Sequence, residues 1–356
     1  MTRPTGPVLT QRPVLAQRPV LTRGLGLTRR RALGLAAALP LAMAAPAGCA
    51  EAGPGSGAGP EAAASATRTV STARGPVRVP AEPKRIVVLS AGLAGYVYAL
   101  GGSVAATDVR VLGVPLNPDG FPVTWAAEAH RQGSTALPGG EQLSIEAVAA
   151  SRPDLIVGGG QGITGLQAEQ DYDKLAGIAP TVLVASSIVS WQEELRQVAE
   201  AVGRAERVPE LLRAYTDKVA VVRTSIRVPQ GPVVIILSIA GDQPCLVPVD
   251  AALPTLLREL GFTTDDVLAK AGNPKRYGTG DSFTLSAELL SQVADAPTAF
   301  VIPLTGRSAA QLRQDPLYAQ LPAFRAGRVH ELPALSYRPD YYGVLRTLDL
   351  IGGDFR

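Results

Sequence analysis

Few residues in this 356-residue chain have chemistry to offer, and their types narrow what it can do. There are two histidines, His130 and His330, and two cysteines, Cys49 and Cys245. A site for bare zinc or manganese draws on several imidazoles or thiolates. With His330 inside an expected strand and Cys245 alone in the folded part, no protein metal site is expected. There is no nucleophile elbow, no Walker loop and no twin-cysteine pair. Gly158-Gly159-Gly160-Gln161-Gly162 follows an expected strand, but its spacing matches no nucleotide fingerprint, and a small-residue cleft floor accounts for it. Enzymatic chemistry is therefore not expected. What remains is a set of aromatic and guanidinium groups: Trp125, Arg276, Tyr277, Arg307, Tyr337, Arg338 and Tyr341, with Trp191 and Tyr342 nearby. Aromatic faces and guanidinium forks suit a bulky organic ligand with oxygen-rich, negative edges. Each also has a plainer role. Trp191 opens a helix and reads as core, Arg276 and Tyr277 lie in a Gly/Asn/Pro-rich segment that serves equally as a solvated loop, and Tyr341 and Tyr342 divide between cleft and helix packing.

The elements that must position these groups alternate strand with helix. Ile86-Val87-Val88-Leu89, Leu155-Ile156-Val157 and Thr181-Val182-Leu183-Val184 are compact apolar runs separated by helical stretches, the pattern of an α/β layered fold. Residues 190–226 change texture. Ser190 with Glu193 reads as a capping box, and Leu195, Val198, Val202, Leu211, Tyr215, Val219 and Val222 keep one helical face, interrupted only by Gly203 and Pro209. After Pro229 the first pattern restarts with Val233-Val234-Ile235-Ile236-Leu237. Leu143-Ser144-Ile145-Glu146 ahead of Pro153-Asp154-Leu155-Ile156-Val157 is echoed by Leu285-Ser286-Ala287-Glu288 ahead of Pro297-Thr298-Ala299-Phe300-Val301. The expected architecture is two similar α/β lobes joined by a single long helix, with a ligand cleft between them. The boundaries are residues 1–48 for a leader, 49–77 for a flexible tether, 78–189 and 229–356 for the lobes, and 190–228 for the connecting helix. Ligands sit beyond the carboxyl ends of strands in such sheets, which points to segments 90–93, 158–162, 186–191, 238–242, 305–307 and 336–342.

The leader has the order of an export signal. Seven of the 34 basic residues and none of the 31 acids fall in the first 48 positions, so the rest carries 27 basic and 31 acidic residues, a net charge of about −4. The formal +3 thus belongs to the leader, and a nucleic-acid partner loses its electrostatic basis. The alanine-rich run at 32–47 is short for a transmembrane helix. Thr28-Arg29-Arg30-Arg31 resembles a twin-arginine signal. Ala47-Gly48-Cys49 stands where a bacterial lipoprotein places its modified cysteine, although Pro46 departs from the usual aliphatic residue. Residues 50–75, rich in Ala, Gly, Ser and Pro, read as a tether.

Four segments together resemble the periplasmic binding proteins that serve siderophore, haem and cobalamin importers. They are Val79-Pro80-Ala81-Glu82-Pro83-Lys84-Arg85-Ile86-Val87, Arg152-Pro153-Asp154-Leu155-Ile156-Val157, Tyr172-Asp173-Lys174-Leu175-Ala176-Gly177 and Asp315-Pro316-Leu317-Tyr318 with Ala326-Gly327-Arg328-Val329-His330. The resemblance runs from about residue 78 to the C-terminus. It implies two lobes that move modestly around a ligand, and a substrate-binding component of an ABC importer that hands a ferric siderophore to a permease with its ATPase. Cobalamin, haem, or a non-transporting surface role are the alternatives. Iron would enter only as part of the bound chelate, with no resident cofactor, and the arginines would favour an anionic chelate. The resemblance also implies that Glu146 and Glu288 dock to permease arginines; the plainer reading is an acid in a helix's first turn, where the dipole favours it. The protein is expected to be a monomer on the outer face of the cytoplasmic membrane, anchored by lipidated Cys49.

Overall fold

The computed structural model describes residues 66–356 apart from Ala73, Asp242, Gly278 and Thr279; the leader, Cys49 and most of the tether lie outside the described residues. The first described segment corrects a boundary. The tether does not extend to residue 77, because Thr67–Thr72 (β1) and Gly75–Pro80 (β2) pair as an antiparallel hairpin with Val70 opposite Val77. Alternation drives it: Val70 and Val79 turn inward while Thr69, Ser71 and Arg78 stay exposed.

Ile86–Val88 (β3) begins an all-parallel sheet. Ala91–Ala99 (α1) crosses to Val104–Thr107 (β4), and Ala126–Gln132 (α2) leads to Thr135–Ala136 (β5). Ile145–Ala150 (α3) precedes Leu155–Gly159 (β6), and Ile163–Gln170 (α4) and Tyr172–Ala176 (α5) precede Thr181–Val184 (β7). Parallel neighbours need crossovers, which these helices supply. The spatial order is β5-β4-β3-β6-β7. The central strands β3 and β6 are buried at every residue, which is why they read as unbroken apolar runs.

The connection between lobes is not one helix. Trp191–Val202 (α6) stops at Gly203, which takes the left-handed conformation (φ 70°); a short 3-10 turn follows, and Val208–Ser225 (α7) restarts with Pro209 in its first turn. Glycine tolerates that φ and proline is pre-set for a helix start, so the two interruptions in the pattern mark a real corner. Arg68 of the hairpin closes the α6 end by donating to the carbonyls of Glu200 and Ala201. Ser190 accepts from the Glu193 amide, but Glu193 pairs with Arg196, so only half of the expected capping box forms.

Pro232–Ser238 (β8) restarts the strand pattern. Cys245–Leu246 (β9), Ala252–Glu259 (α8), Thr263–Thr264 (β10), Val267–Lys270 (α9), Phe283–Thr284 (β11) and Ala287–Val293 (α10) follow. Then come Thr298–Pro303 (β12), Ala309–Leu312 (α11), Pro316–Ala319 (α12), Pro322–Arg325 (α13), Val329–Glu331 (β13) and Tyr341–Asp354 (α14). The order is β11-β9-β8-β12-β13, with β10 also on β8; β9 runs antiparallel to β8, and β10, β12 and β13 run parallel to their neighbours. The repeat seen in sequence has a structural counterpart: β6 lies beside β3 and β12 beside β8, each preceded by a short helix that starts after Ser144 or Ser286.

One hydrophobic core runs through both lobes. Trp191 lies edge-on to Tyr215 (4.7 Å between ring centres) and near Tyr341 (6.3 Å), all buried, and the same cluster contains β3 and β8 residues. Helix α14, though last in the chain, packs on both α7 and α1. At the α1 contact the Asp340 side chain lies so close to the α1 backbone that a Cβ on Gly95 would overlap its carboxylate. Gly95→Ala should therefore lower stability by about 1–3 kcal/mol, the cost of overpacking, read as a lower denaturant midpoint. An unchanged midpoint would mean that α14 can shift freely on α1.

Candidate functional site

Segments from the carboxyl ends of four strands meet the approach to α14 and enclose a cleft. The N-terminal lobe contributes Ser90 and Gly92 after β3, Arg110–Leu112 and Val114 after β4, and Gln161–Thr164 after β6. The C-terminal lobe contributes Leu304 after β12, and Ala334, Leu335, Tyr337 and Arg338. The cleft holds about 130 Å³ of water-accessible space within about 660 Å³ of empty volume that includes its open mouth. A broader depression of about 700 Å³ lies between Arg85, Gly101, Arg131 and Ala150, at the amino ends of the N-terminal lobe's strands. Ligands favour the carboxyl ends, so the interlobe cleft is the better site.

Two guanidiniums line the cleft, and each is held by a buried aspartate of its own lobe. Arg110 forks onto Asp108 (Nε–Oδ2 3.0 Å, Nη2–Oδ2 2.5 Å) and also reaches Gln167 Oε1 (2.9 Å) and the Gly140 carbonyl (2.9 Å). Arg338 forks onto Asp281 (Nε–Oδ2 2.5 Å, Nη2–Oδ1 2.8 Å), with its guanidinium 4.9 Å from the Tyr337 ring centre. Such bidentate pairs fix both charge and plane. Burial alone would lower the Arg338 pKa, but the hydrogen bonds and charge of Asp281 more than reverse this and leave it raised. Burial raises the Tyr337 phenol as well, helped by Asp281.

Behind Arg338 lie further ionisable groups. Tyr96 Oη donates to Glu194 (3.2 Å) and to the Pro339 carbonyl (3.1 Å), linking α1, α6 and the start of α14. Glu194 is pushed up to about 7 by burial, partly offset by the Tyr96 hydrogen bond and by Arg338. Asp340 caps α14 by accepting from the Gly343 amide (2.6 Å), and burial raises it to about 7. The Gln161 side-chain nitrogen, which faces this region, is a buried donor without a protein partner.

Of the residues singled out from sequence, the structure brings Tyr337 and Arg338 to the cleft and leaves the others elsewhere. Trp125 is 1% exposed, packed on Tyr98 and Phe121, and only its edge reaches a small recess shared with Leu335 and Arg338. Arg276 pairs with Asp250 and donates to the Gly280 carbonyl, while Tyr277 is 62% exposed; neither lines the cleft. Arg307 is drawn to Asp315, which also caps α12, and lies over Tyr318. Tyr341 is in the interlobe core, its hydroxyl reaching the Leu211 carbonyl (3.4 Å). Among the described residues, segments 186–191 and 238–241 do not line the cleft either.

Arg110, Asp108, Asp281 and Glu194 were not legible as site residues. Arg110 had one signal: Asp108-Val109-Arg110 directly follows the apolar run Val104-Ala105-Ala106-Thr107, which is β4. Glu146 and Glu288 are both exposed, each second in a helix that follows a serine, and hydrogen bonds from the backbone and Ser286 lower Glu288. Cys245 is buried in β9, its thiol pushed up to about 11 by burial. His330 stacks on Phe355 (4.3 Å). Among the described residues no group of three or more His, Cys, Asp or Glu could hold a metal, and no helix is long and apolar enough to cross a membrane.

A two-lobed receptor with its ligand site between α/β lobes is the class that this fold and cleft define. The chain belongs to the periplasmic binding protein family, whose pattern matches residues 86–335. It is 30% identical over 285 residues to the ferric enterobactin-binding periplasmic protein FepB of Escherichia coli O6:H1, covering 79% of this chain and 89% of that one. It is 25% identical to the probable siderophore-binding lipoprotein YfiY of Bacillus subtilis, covering 75% of this chain and 81% of that one. In fold it is similar to holo-ViuP, with a TM-score of 0.69 and 24% identity over 81% of this chain and 95% of that one.

The buried carboxyls make stability depend on pH. Because Asp340 and Glu194 keep their protons to about pH 7 in the folded state but lose them near pH 4 when unfolded, the folded state holds more protons between those limits. Their contribution to stability is therefore full below about pH 4, falls as pH rises, and is gone above about pH 7. Urea denaturation should show a decline on the order of 2–4 kcal/mol from pH 5 to pH 8. Asp340→Asn, which keeps a cap oxygen, should remove much of that slope; a slope unchanged in both Asp340→Asn and Glu194→Gln would assign it to other groups.

Proposed function

We propose that this protein is the substrate-binding component of an ABC importer, capturing a ferric siderophore in the interlobe cleft and delivering it to a membrane permease with its ATPase. The observation that carries this reading is the meeting of Arg110, Tyr337 and Arg338 from opposite lobes around one open cleft, in a chain of the periplasmic binding protein family. The iron is cargo inside the chelate, and the protein acts as a receptor, not a catalyst. A core continuous through both lobes favours small adjustments around the ligand over wide opening and closing. The surface glutamates Glu146 and Glu288, one on each lobe at matching places, orient the loaded receptor on the permease, where exposed charges chiefly set encounter and register. Lipidated Cys49 holds the protein as a monomer on the outer face of the cytoplasmic membrane, with the sequence between Cys49 and β1 as the tether.

Intrinsic fluorescence of Trp125 and Trp191 in residues 50–356 tests capture. Saturable quenching by a ferric siderophore, with the iron-free form weaker, is the expected result; silence from the folded protein across hydroxamate, catecholate and carboxylate chelates would overturn it. Arg338→Ala should weaken binding by about 1.5–3 kcal/mol, the scale of a hydrogen bond to a charged group. Arg307→Ala should leave binding unchanged, because that side chain pairs with Asp315 away from the cleft lining. For docking, Glu146→Ala with Glu288→Ala should leave chelate affinity intact and sharply reduce uptake by cells. Undiminished uptake would reduce both residues to helix-start acids.

A further inference from the structure

We propose that the chelate this cleft accepts carries little or no net charge and presents carbonyl oxygens and aliphatic surface, as a ferric tris-hydroxamate does, rather than the polyanionic face of a tris-catecholate or polycarboxylate. This rests on the receptor reading above and specifies its ligand. Three observations support it.

The first is charge. Arginines in a cleft suggest recognition of an anion, but here both cleft guanidiniums already have counter-ions. Asp108 and Asp281 have side chains only 4% exposed, and each receives two or more guanidinium bonds. Turning either arginine over to a ligand would leave a buried carboxylate without its partner, which is strongly unfavourable. Glu194 also lies within electrostatic reach of Arg338 and Asp281, and with Asp281 already paired to it the surroundings of Arg338 hold no surplus of positive charge. Both guanidiniums are thereby neutralised and held in fixed orientation by their aspartates.

The second is the wall. Val111, Leu112, Val114, Ile163, Leu304 and Leu335 line the cleft, and Leu112 and Ile163 are 59% and 58% exposed. Aliphatic side chains left open to water around a cleft mark where an apolar partner is to sit. The methylene spacers of a hydroxamate siderophore would cover them; a densely hydrated trianion would be stripped of water against them without compensation.

The third is the spare donor. Gln161 Nε2 is buried without a protein partner and borders both the cleft and the small pocket beneath it. A neutral amide suits a carbonyl oxygen, and leaving such a donor unpaired in the bound state is costly.

The test compares chelates of different charge on the mature protein: ferrichrome (neutral), ferrioxamine B (cationic), ferric enterobactin (trianionic) and ferric citrate. The neutral or cationic hydroxamates should bind roughly tenfold or more tightly than the trianion. The affinity of the neutral chelate should change little between low and high salt, because it has no net charge to screen. Asp281→Asn and Asp108→Asn, which free a guanidinium, should shift preference toward the trianion by about tenfold. If either variant fails to fold, the wild-type selectivity and its salt dependence decide alone. Tighter binding of the trianion, equal affinity for all classes, or strong weakening by salt would overturn the proposal while leaving the receptor reading in place. Binding of none of the four would overturn the receptor reading itself.

Discussion

The approach to α14 is the junction on which the rest of the structure depends. Within three consecutive residues, Arg338 forks onto Asp281 of the C-terminal lobe, the Pro339 carbonyl accepts from Tyr96 of the N-terminal lobe, and Asp340 caps α14 while lying against Gly95. Glu194 of the connector joins through the same Tyr96 hydroxyl. Both lobes and the connector are thereby tied at one point, directly beneath the cleft. Glycine at position 95 makes room for the Asp340 side chain, which caps α14 by accepting from the Gly343 amide.

Polar groups at such a junction could have loosened it, since buried charge is costly unless paired. The protein manages this in two ways. Cations are matched one to one with buried aspartates, and burial shifts the titration of Glu194 and Asp340 upward. The aromatic seam of Trp191, Tyr215 and Tyr341 then seals the connector against the last helix. A receptor assembled in this way is largely preformed, which limits the ordering cost of binding, and its cleft chemistry is set by donors whose directions are locked before the ligand arrives.

Much of this was legible in the chain. Continuous apolar runs marked β3, β6, β7, β8 and β12 because buried parallel strands need apolar side chains on both faces. Gly203 and Pro209 were visible as interruptions, although the corner they make separates two helices where one was expected. The hairpin β1-β2 escaped notice because its inward positions, Val70 and Val79, are sparse among threonine, serine and arginine. Strand β4 has only four residues and a weak apolar signal, and with it went Arg110.

By itself the sequence determined the layer architecture, the repeat of two lobes and the general location of a ligand site, since periodicity and glycine placement are local properties of the chain. Tertiary structure decided which of the chemically suited residues share that site. Arg307 and Arg338 look alike in sequence, yet one turns to Asp315 eight residues on and the other to Asp281 fifty-seven residues back. Trp125 and Tyr341 likewise went to the core because Tyr98 covers the first and Trp191 and Leu211 the second, all from other elements. A side chain's availability to a ligand depends on which opposite charge or apolar surface reaches it first, and that pairing exists only once distant parts of the chain are brought together.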